Sequence, residues 1–278
     1  MKTASWYSAK PALTSGERKT MEKQGKEPPT VRAVDRALEI MSLFDDESNT
    51  LTLKEVLDKT ELPKTTAVRL LQTLEQNGML QASGNGEYVG GLSLLRWAQL
   101  AARTWMIPTG AAEILATLAE RCRETVNVYA RRGIHRVCIA QREGPQTLRQ
   151  VVHVGDELPL WGGGAAKILL LDASDALLAS VAASSPSGPD HIATLKHWIK
   201  RARVDGYATS RAEREVGLSS IAVPVSSSGG VVLAALSLGG PSERFTDDRR
   251  SEMAAELLSS AQALEEGRFF EHLPVPRQ

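Results

Sequence analysis

The sequence predicts an α+β protein in two parts. A small N-terminal helical unit ends in a hairpin, and a larger C-terminal domain mixes helices with a mainly antiparallel sheet. Three observations predict this. Apolar residues recur at 3–4 spacing in successive stretches between residues 31 and 74, and a glycine-marked hairpin follows them. Beyond residue 125, β-rich runs alternate with helical stretches, and two pairs of runs are joined by short turns at Arg132-Gly133 and at Ser227 to Gly230. The 278 residues suffice for one large or two ordinary domains.

Composition narrows the classes. The chain is 42% apolar and 24% charged, which excludes collagen-like, fully disordered and coiled-coil proteins. Thirty-three basic residues balance thirty-three acidic ones, so net charge singles out no partner. Two cysteines, Cys122 and Cys138, cannot build a disulfide framework or a four-cysteine zinc site. No apolar run reaches the roughly 18 residues of a membrane span, and the first residues lack a signal peptide's apolar core. A cytoplasmic protein with free thiols and no membrane partner is the expectation.

Residues 1–29 read as a disordered tail with a charge of +3 that Pro28 and Pro29 close. Residues 30–91 form a unit. Thr30 is expected to cap a first helix carrying Val31, Val34, Leu38, Met41 and Phe44 on one face. Thr52 and Glu55 fit a capping box before a short second helix. Glu61, Leu62 and Pro63 make a turn. A third helix runs from Lys64 to Gln76 and stops at Asn77-Gly78. Met79 to Gln81 and Tyr88-Val89 flank Gly84, Asn85 and Gly86 as a hairpin.

Helix, helix, turn, helix, hairpin is the order of a winged helix-turn-helix. The third helix supports that reading. Ala67, Leu70, Leu71 and Leu74 share one face; Thr65, Arg69, Gln72 and Gln76 share the other, with Thr66 and Thr73 at its edges. The outer face carries hydrogen-bonding groups and no carboxylate, which suits base edges and phosphates. Arg32, Lys64, Thr65, Thr66, Arg69, Gln72 and Thr73 are therefore the expected DNA-binding residues. The unit as a whole holds six basic and ten acidic residues, so its phosphate contacts must come from a few local cations.

Residues 92–106 read as a linker helix, and Pro108 opens another helix to about Arg123. Residues 107–270 form the second domain, and 271–278 a short tail. Strands are expected at 126–130, 134–140, 148–154, 207–211, 219–226 and 231–238, with 155–160 as a loop. Helices are expected at 165–171, 175–182, 191–204 and from Thr246 to about Gly267.

Catalytic constellations are weak. Cys138 sits mid-strand between Val137 and Ile139, and His153 has no spaced partner. His191 and His197 do not share a helix face for a metal. The chain carries no phosphate-binding loop, dinucleotide fingerprint or nucleophile elbow. No catalytic residue, metal or cofactor is expected.

Residues 30–270 resemble the isocitrate lyase regulator (IclR) family of transcription factors. In the N-terminal unit the matching stretch is 62–75, LPKTTAVRLLQTLE. In the second domain the matches are 154–160 (VGDELPL), 164–170 (GAAKILL) and a signature made of Gly206, Ser210, Glu213, Ser220, Ile221, Ala222 and 236–241 (LSLGGP). The chain departs from the family pattern at Ala166, Ser226-Ser227 and Gly239. The resemblance implies a winged helix, a linker helix and a GAF-like effector-binding domain, acting as a homodimer or homotetramer on double-stranded operator DNA, as repressor or activator. It also places effector contacts on Gly164, Ala165, Ser210, Ser220, Ser237 and Gly239; Trp161, beside the glycines in sequence, is expected to wall the pocket. Gly164 and Ala165 would start a helix, where free amides favour an anion, and the hydroxyls would orient it. A small organic acid, an aromatic one among the options, is the expected effector. Glu213 is expected to hold a loop or pair with an arginine rather than touch ligand, and Lys167 to lie on a helix surface. The rival class is a GAF-like metabolite-binding module or enzyme whose winged helix makes protein contacts.

Overall fold

The computed structural model describes residues 30–45 and 48–273; the basic tail expected at 1–29 lies outside the described residues. The chain divides into two compact units, residues 1–102 and 103–278.

In the first unit, α1 (Arg32–Met41) begins after Val31 with no side-chain cap, so Thr30 does not serve as one. β1 (Thr50–Thr52) leads into α2 (Leu53–Lys59). The capping box forms as the sequence predicts: the Glu55 amide donates to Thr52 Oγ1 at 3.2 Å, and the Thr52 amide donates to Glu55 Oε2 at 2.7 Å. The Thr52 amide, and after it the Thr52 hydroxyl, which also donates to Glu55 Oε2 at 2.8 Å, hold the Glu55 carboxyl below the ordinary carboxylate range. α3 (Lys64–Gln76) follows Pro63. It ends in a Schellman motif, in which the Met79 amide donates to the Leu74 carbonyl and the Gly78 amide to that of Glu75, both at 2.9 Å. Gly78 supplies the left-handed residue this requires, with φ +68°. β2 (Leu80–Ala82) and β3 (Glu87–Gly90) form the wing. β1, hidden in the sequence behind its role as a cap, adds a third strand: Leu51 pairs with Tyr88. Ile40, Leu51, Val56, Ala67, Leu71 and Leu80 form the core beneath α3.

α4 (Ser93–Trp105) is the expected linker helix. α5 (Thr109–Cys122) starts the second unit's helical layer. The sheet comprises β4 (Thr125–Arg132), β5 (His135–Arg142), β6 (Glu157–Pro159), β7 (Ala208–Arg211), β8 (Leu218–Ser226) and β9 (Val232–Pro241). Its order is β6-β5-β4-β9-β8-β7, and every pairing is antiparallel. α9 (Asp247–Glu266) and α5 cover one face through Val126, Ile221, Val223, Leu236 and Leu257. The other face carries α6 (Gly164–Leu169), α7 (Asp175–Ala183) and α8 (His191–Asp205) over Tyr129, Cys138, Ala208, Ala222 and Ala235. Each fully buried aliphatic side chain here is worth about 1.5–3 kcal/mol. Phe270 and Leu273 continue beyond α9 into the core; residues 274–278 lie outside the described residues.

One strand expectation is overturned. Residues 148–154 form no strand, and the edge beside β5 is taken by the segment expected to be a loop. The Gly155 amide donates to the Cys138 carbonyl, the Cys138 amide to that of Asp156, and Val137 pairs with Glu157. Asp156 Oδ2 accepts from the His153 amide at 2.7 Å and turns the chain just before that edge.

Candidate DNA-reading face and effector pocket

The third helix presents the face that its sequence predicts. Lys64, Thr65, Arg69, Gln72 and Thr73 are exposed and Thr66 is half-buried, whereas Ala67 and Leu71 are buried. Arg32, at the start of α1, is exposed as well. The Thr73 hydroxyl is used locally, donating to the Arg69 carbonyl at 2.8 Å. The face therefore offers a guanidinium, an ammonium, an amide and threonine hydroxyls, without a competing carboxylate between Lys64 and Thr73.

In the second unit, sheet register brings the expected effector residues together. Ser210 of β7 pairs with Ser220 of β8, and Ser220 pairs with Gly239 of β9. Residues opposite one another in a ladder project to the same side, so these three form a row. Ser237 occupies the next position of that face, opposite Ala222 and Asn127. The Asn127 side-chain Oδ1 and the Thr125 hydroxyl on the same face are buried without a hydrogen-bond partner.

α6 starts directly over the row. The Gly164 amide donates to Ser220 Oγ at 3.1 Å, and the Gly163 amide donates to Glu213 Oε2 at 2.9 Å. The helix start that the sequence offers to an anion is thus already met by the chain's own hydroxyl and carboxylate. Glu213 does hold this turn in place. Lys167, expected on the surface, is instead buried: its Nζ donates to Glu213 Oε1 at 2.5 Å and to the Thr209 carbonyl at 2.7 Å, and lies 3.9 Å from the Trp198 ring centroid. Burial lowers the lysine's pKa, and Glu213 partly offsets that. Ala165 is buried within α6. Trp161 lies half-buried against the aliphatic cluster under α6, and its carbonyl accepts from His191 Nε2 at 2.8 Å.

Two groups at this site escape the sequence reading. Gln150 lies on Gly239, where a β-carbon would run into its amide. Arg136 of β5 is 4% exposed and packs its guanidinium on Gly163, whose φ is +104°. Arg136, Gln150, Ser210, Arg214 and Ser220 line a small pocket whose cavity measures about 40 Å³, the room of a water-sized group. Among the described residues, no cluster of His, Cys, Asp and Glu could hold a metal, and no helix is long and apolar enough to cross a membrane.

Comparison with known proteins agrees with both halves. The IclR helix-turn-helix domain matches residues 33–84, and the bacterial transcriptional regulator IclR C-terminal domain matches residues 100–266. The chain is similar to the HTH-type transcriptional repressor AllR of Salmonella typhi, at 28% identity over 81% of this chain and 87% of AllR. It is also similar to the HTH-type transcriptional regulator KipR of Bacillus subtilis, at 27% identity over 83% of this chain and 94% of KipR. A crystal structure of an IclR-family transcriptional regulator from Rhodococcus sp. superposes with a TM-score of 0.60 at 39% identity, covering 90% of this chain and all of that one. Both domain families in order along one chain, and relatives that are regulators rather than enzymes, lead to one conclusion: the chain belongs to the IclR family of DNA-binding transcriptional regulators.

Proposed function

We propose that this regulator reads operator DNA with α3 and that a small organic acid, held over the Ser210, Ser220 and Gly239 row, sets its affinity for that DNA. The row carries the effector half of the reading: three strands place two hydroxyls and a side-chain-free position side by side beneath the start of α6. The exposed face of α3 supports the DNA half. Thr65, Arg69 and Gln72 face base edges and Lys64, Thr66 and Arg32 meet phosphates, while Thr73 reaches a phosphate only by turning its hydroxyl from the Arg69 carbonyl. A homodimer or homotetramer then reads half-sites separated by a whole number of helical turns. The acid acts only through its difference in affinity between DNA-competent and DNA-incompetent states.

The test is a fluorescence-anisotropy titration of the full chain on its own upstream DNA, with and without acids selected by thermal shift. A sequence-dependent complex whose affinity changes with acid, in wild type and not in Ser220→Ala, is expected. Affinity for that DNA unchanged by Arg69→Ala combined with Thr65→Ala defeats the α3 assignment. Turnover of a metabolite without DNA binding favours the rival module.

A further inference from the structure

Arg136 stands in an unusual electrostatic position. Its Nη1 donates to the carbonyl oxygens of Pro159 at 2.5 Å and Gly162 at 3.0 Å, and its guanidinium lies 5.3 Å from the Tyr129 ring centroid. Its Nε is buried with no acceptor. Among the described residues it forms no ion pair, because the nearby carboxylates are already engaged. Glu213 binds Lys167 and the Gly163 amide, and Glu215 binds Arg214 at 2.9 Å. Of the two carboxylates that line this pocket, Glu213 is neutralised by Lys167, which lies outside it, and Glu215 by Arg214, so Arg136, the most deeply buried of these cations, is left over. Burial first, and then the charge of Arg214, pull the Arg136 pKa down to about 10, with Tyr129 and the more distant Glu213 carboxylate offsetting only part of this, so it remains charged at neutral pH. A buried charge without a counterion is costly, and the same geometry becomes favourable once a carboxylate meets it.

We propose that Arg136 is the carboxylate anchor of the effector pocket, and that the effector is a monoanionic carboxylic acid whose acid group lies against this guanidinium. The proposal rests on the effector reading above and sharpens it. The acid group goes to Arg136 and not to the start of α6, because the Gly163 and Gly164 amides are already satisfied. One negative charge matches the single excess cation. The rest of the molecule lies along Ser210 and Ser220 toward Gly239. The cavity of about 40 Å³ cannot hold it while Gln150 covers Gly239, so Gln150 is the group the effector displaces. Gln150 belongs to residues 143–154, which lie outside every helix and strand and precede the bonds of Gly155 and Asp156 to β5, so it can yield without breaking the ladder.

The experiment is thermal shift and calorimetry on the full chain at constant ionic strength and pH 7.5. Acetate, lactate and benzoate are compared with acetamide, lactamide and benzamide. At ten times its dissociation constant, at least one acid should raise the wild-type midpoint by about 3 °C, and its amide should not. Arg136→Lys, which keeps the charge but not the fork, should weaken that acid about tenfold, and Arg136→Gln about a hundredfold or more. If Arg136 served only to tie the turn at 159–162, its variants would lower the ligand-free midpoint and leave acid affinity unchanged. A shift kept in Arg136→Gln but lost in Ser220→Ala overturns Arg136 and leaves the pocket reading standing. A shift kept in both variants overturns both. Equal shifts from acid and amide, or none in wild type, overturn the acid class. If Arg136→Gln does not melt cooperatively, the calorimetric affinity of Arg136→Lys decides, and an unchanged value overturns the proposal.

Discussion

Lys167 and Glu213 form a buried ion pair, Nζ to Oε1 at 2.5 Å, that fastens α6 to the turn between β7 and β8. The side chains are 7% and 17% exposed, so water screens the pair poorly. Removing one partner strands the other. Glu213→Gln or Lys167→Met alone should each cost about 2–4 kcal/mol, and the double variant clearly less than their sum. Urea unfolding of the four proteins measures the coupling; strict additivity would show that the pair is incidental.

Gly78 closes α3 in the left-handed region, and a β-carbon there would also meet Ser93 Oγ. Gly78→Ala should destabilise the end of α3 by about 1–2 kcal/mol. The readout is faster amide hydrogen exchange at Gly78 and Met79, whose bonds close the Schellman motif. Unchanged exchange would mean that the turn relaxes freely.

On DNA, the two exposed cations of α3 should behave differently. Arg69→Ala should cost about 1–3 kcal/mol of sequence-specific affinity if it pairs a base. Lys64→Ala should weaken all sequences alike and lower the slope of log affinity against log salt by about one. Anisotropy at four salt concentrations separates the two. Identical behaviour of both variants would place both cations on phosphates.

Burial raises the Cys122 thiol to about 11 and the Cys138 thiol to about 12, with the carboxylates of Glu256 and Asp156 adding to the two effects respectively. The folded chain keeps these protons where the unfolded chain, at about 9, gives them up. Their contribution to stability is therefore complete below pH 9 and is lost as pH rises through 9 toward 11. A thiol reagent at pH 8 should label neither cysteine until urea unfolds the domain. Cys122→Ala with Cys138→Ala should flatten the alkaline decline in urea midpoint, leaving the part due to the buried Tyr129 phenol. Rapid labelling of the folded chain would contradict this burial.

Much of the fold was readable because local signals were strong and agreed. α3 begins after Pro63 and ends at Asn77-Gly78 as expected, since a proline, an amphipathic period and a terminating glycine all point to one segment. The Ser210, Ser220 and Gly239 row came from resemblance; register then explains why those positions belong together. The misreadings share a cause. Lys167 is expected on a helix surface and Arg136 carries no expectation, because charged residues are seldom buried; helices cover both faces of the sheet, and both side chains lie inside. Alternation in β5 runs half-buried, buried, half-buried, then buried for three residues, so it marks no solvent face. Residues 148–154 are β-rich in composition, yet the edge beside β5 was won by 155–159 through tertiary bonding that local sequence does not encode.

Gln150 reaches Gly239 from a segment outside the ladder, whereas Ser210, Ser220 and Gly239 are fixed within it. The two contributions are held with unequal firmness. A change in the row disturbs three strands at once, while a change at 150 alters only what that side chain touches. A substitution at 150 should therefore alter the lining of this pocket and leave the sheet beneath it intact.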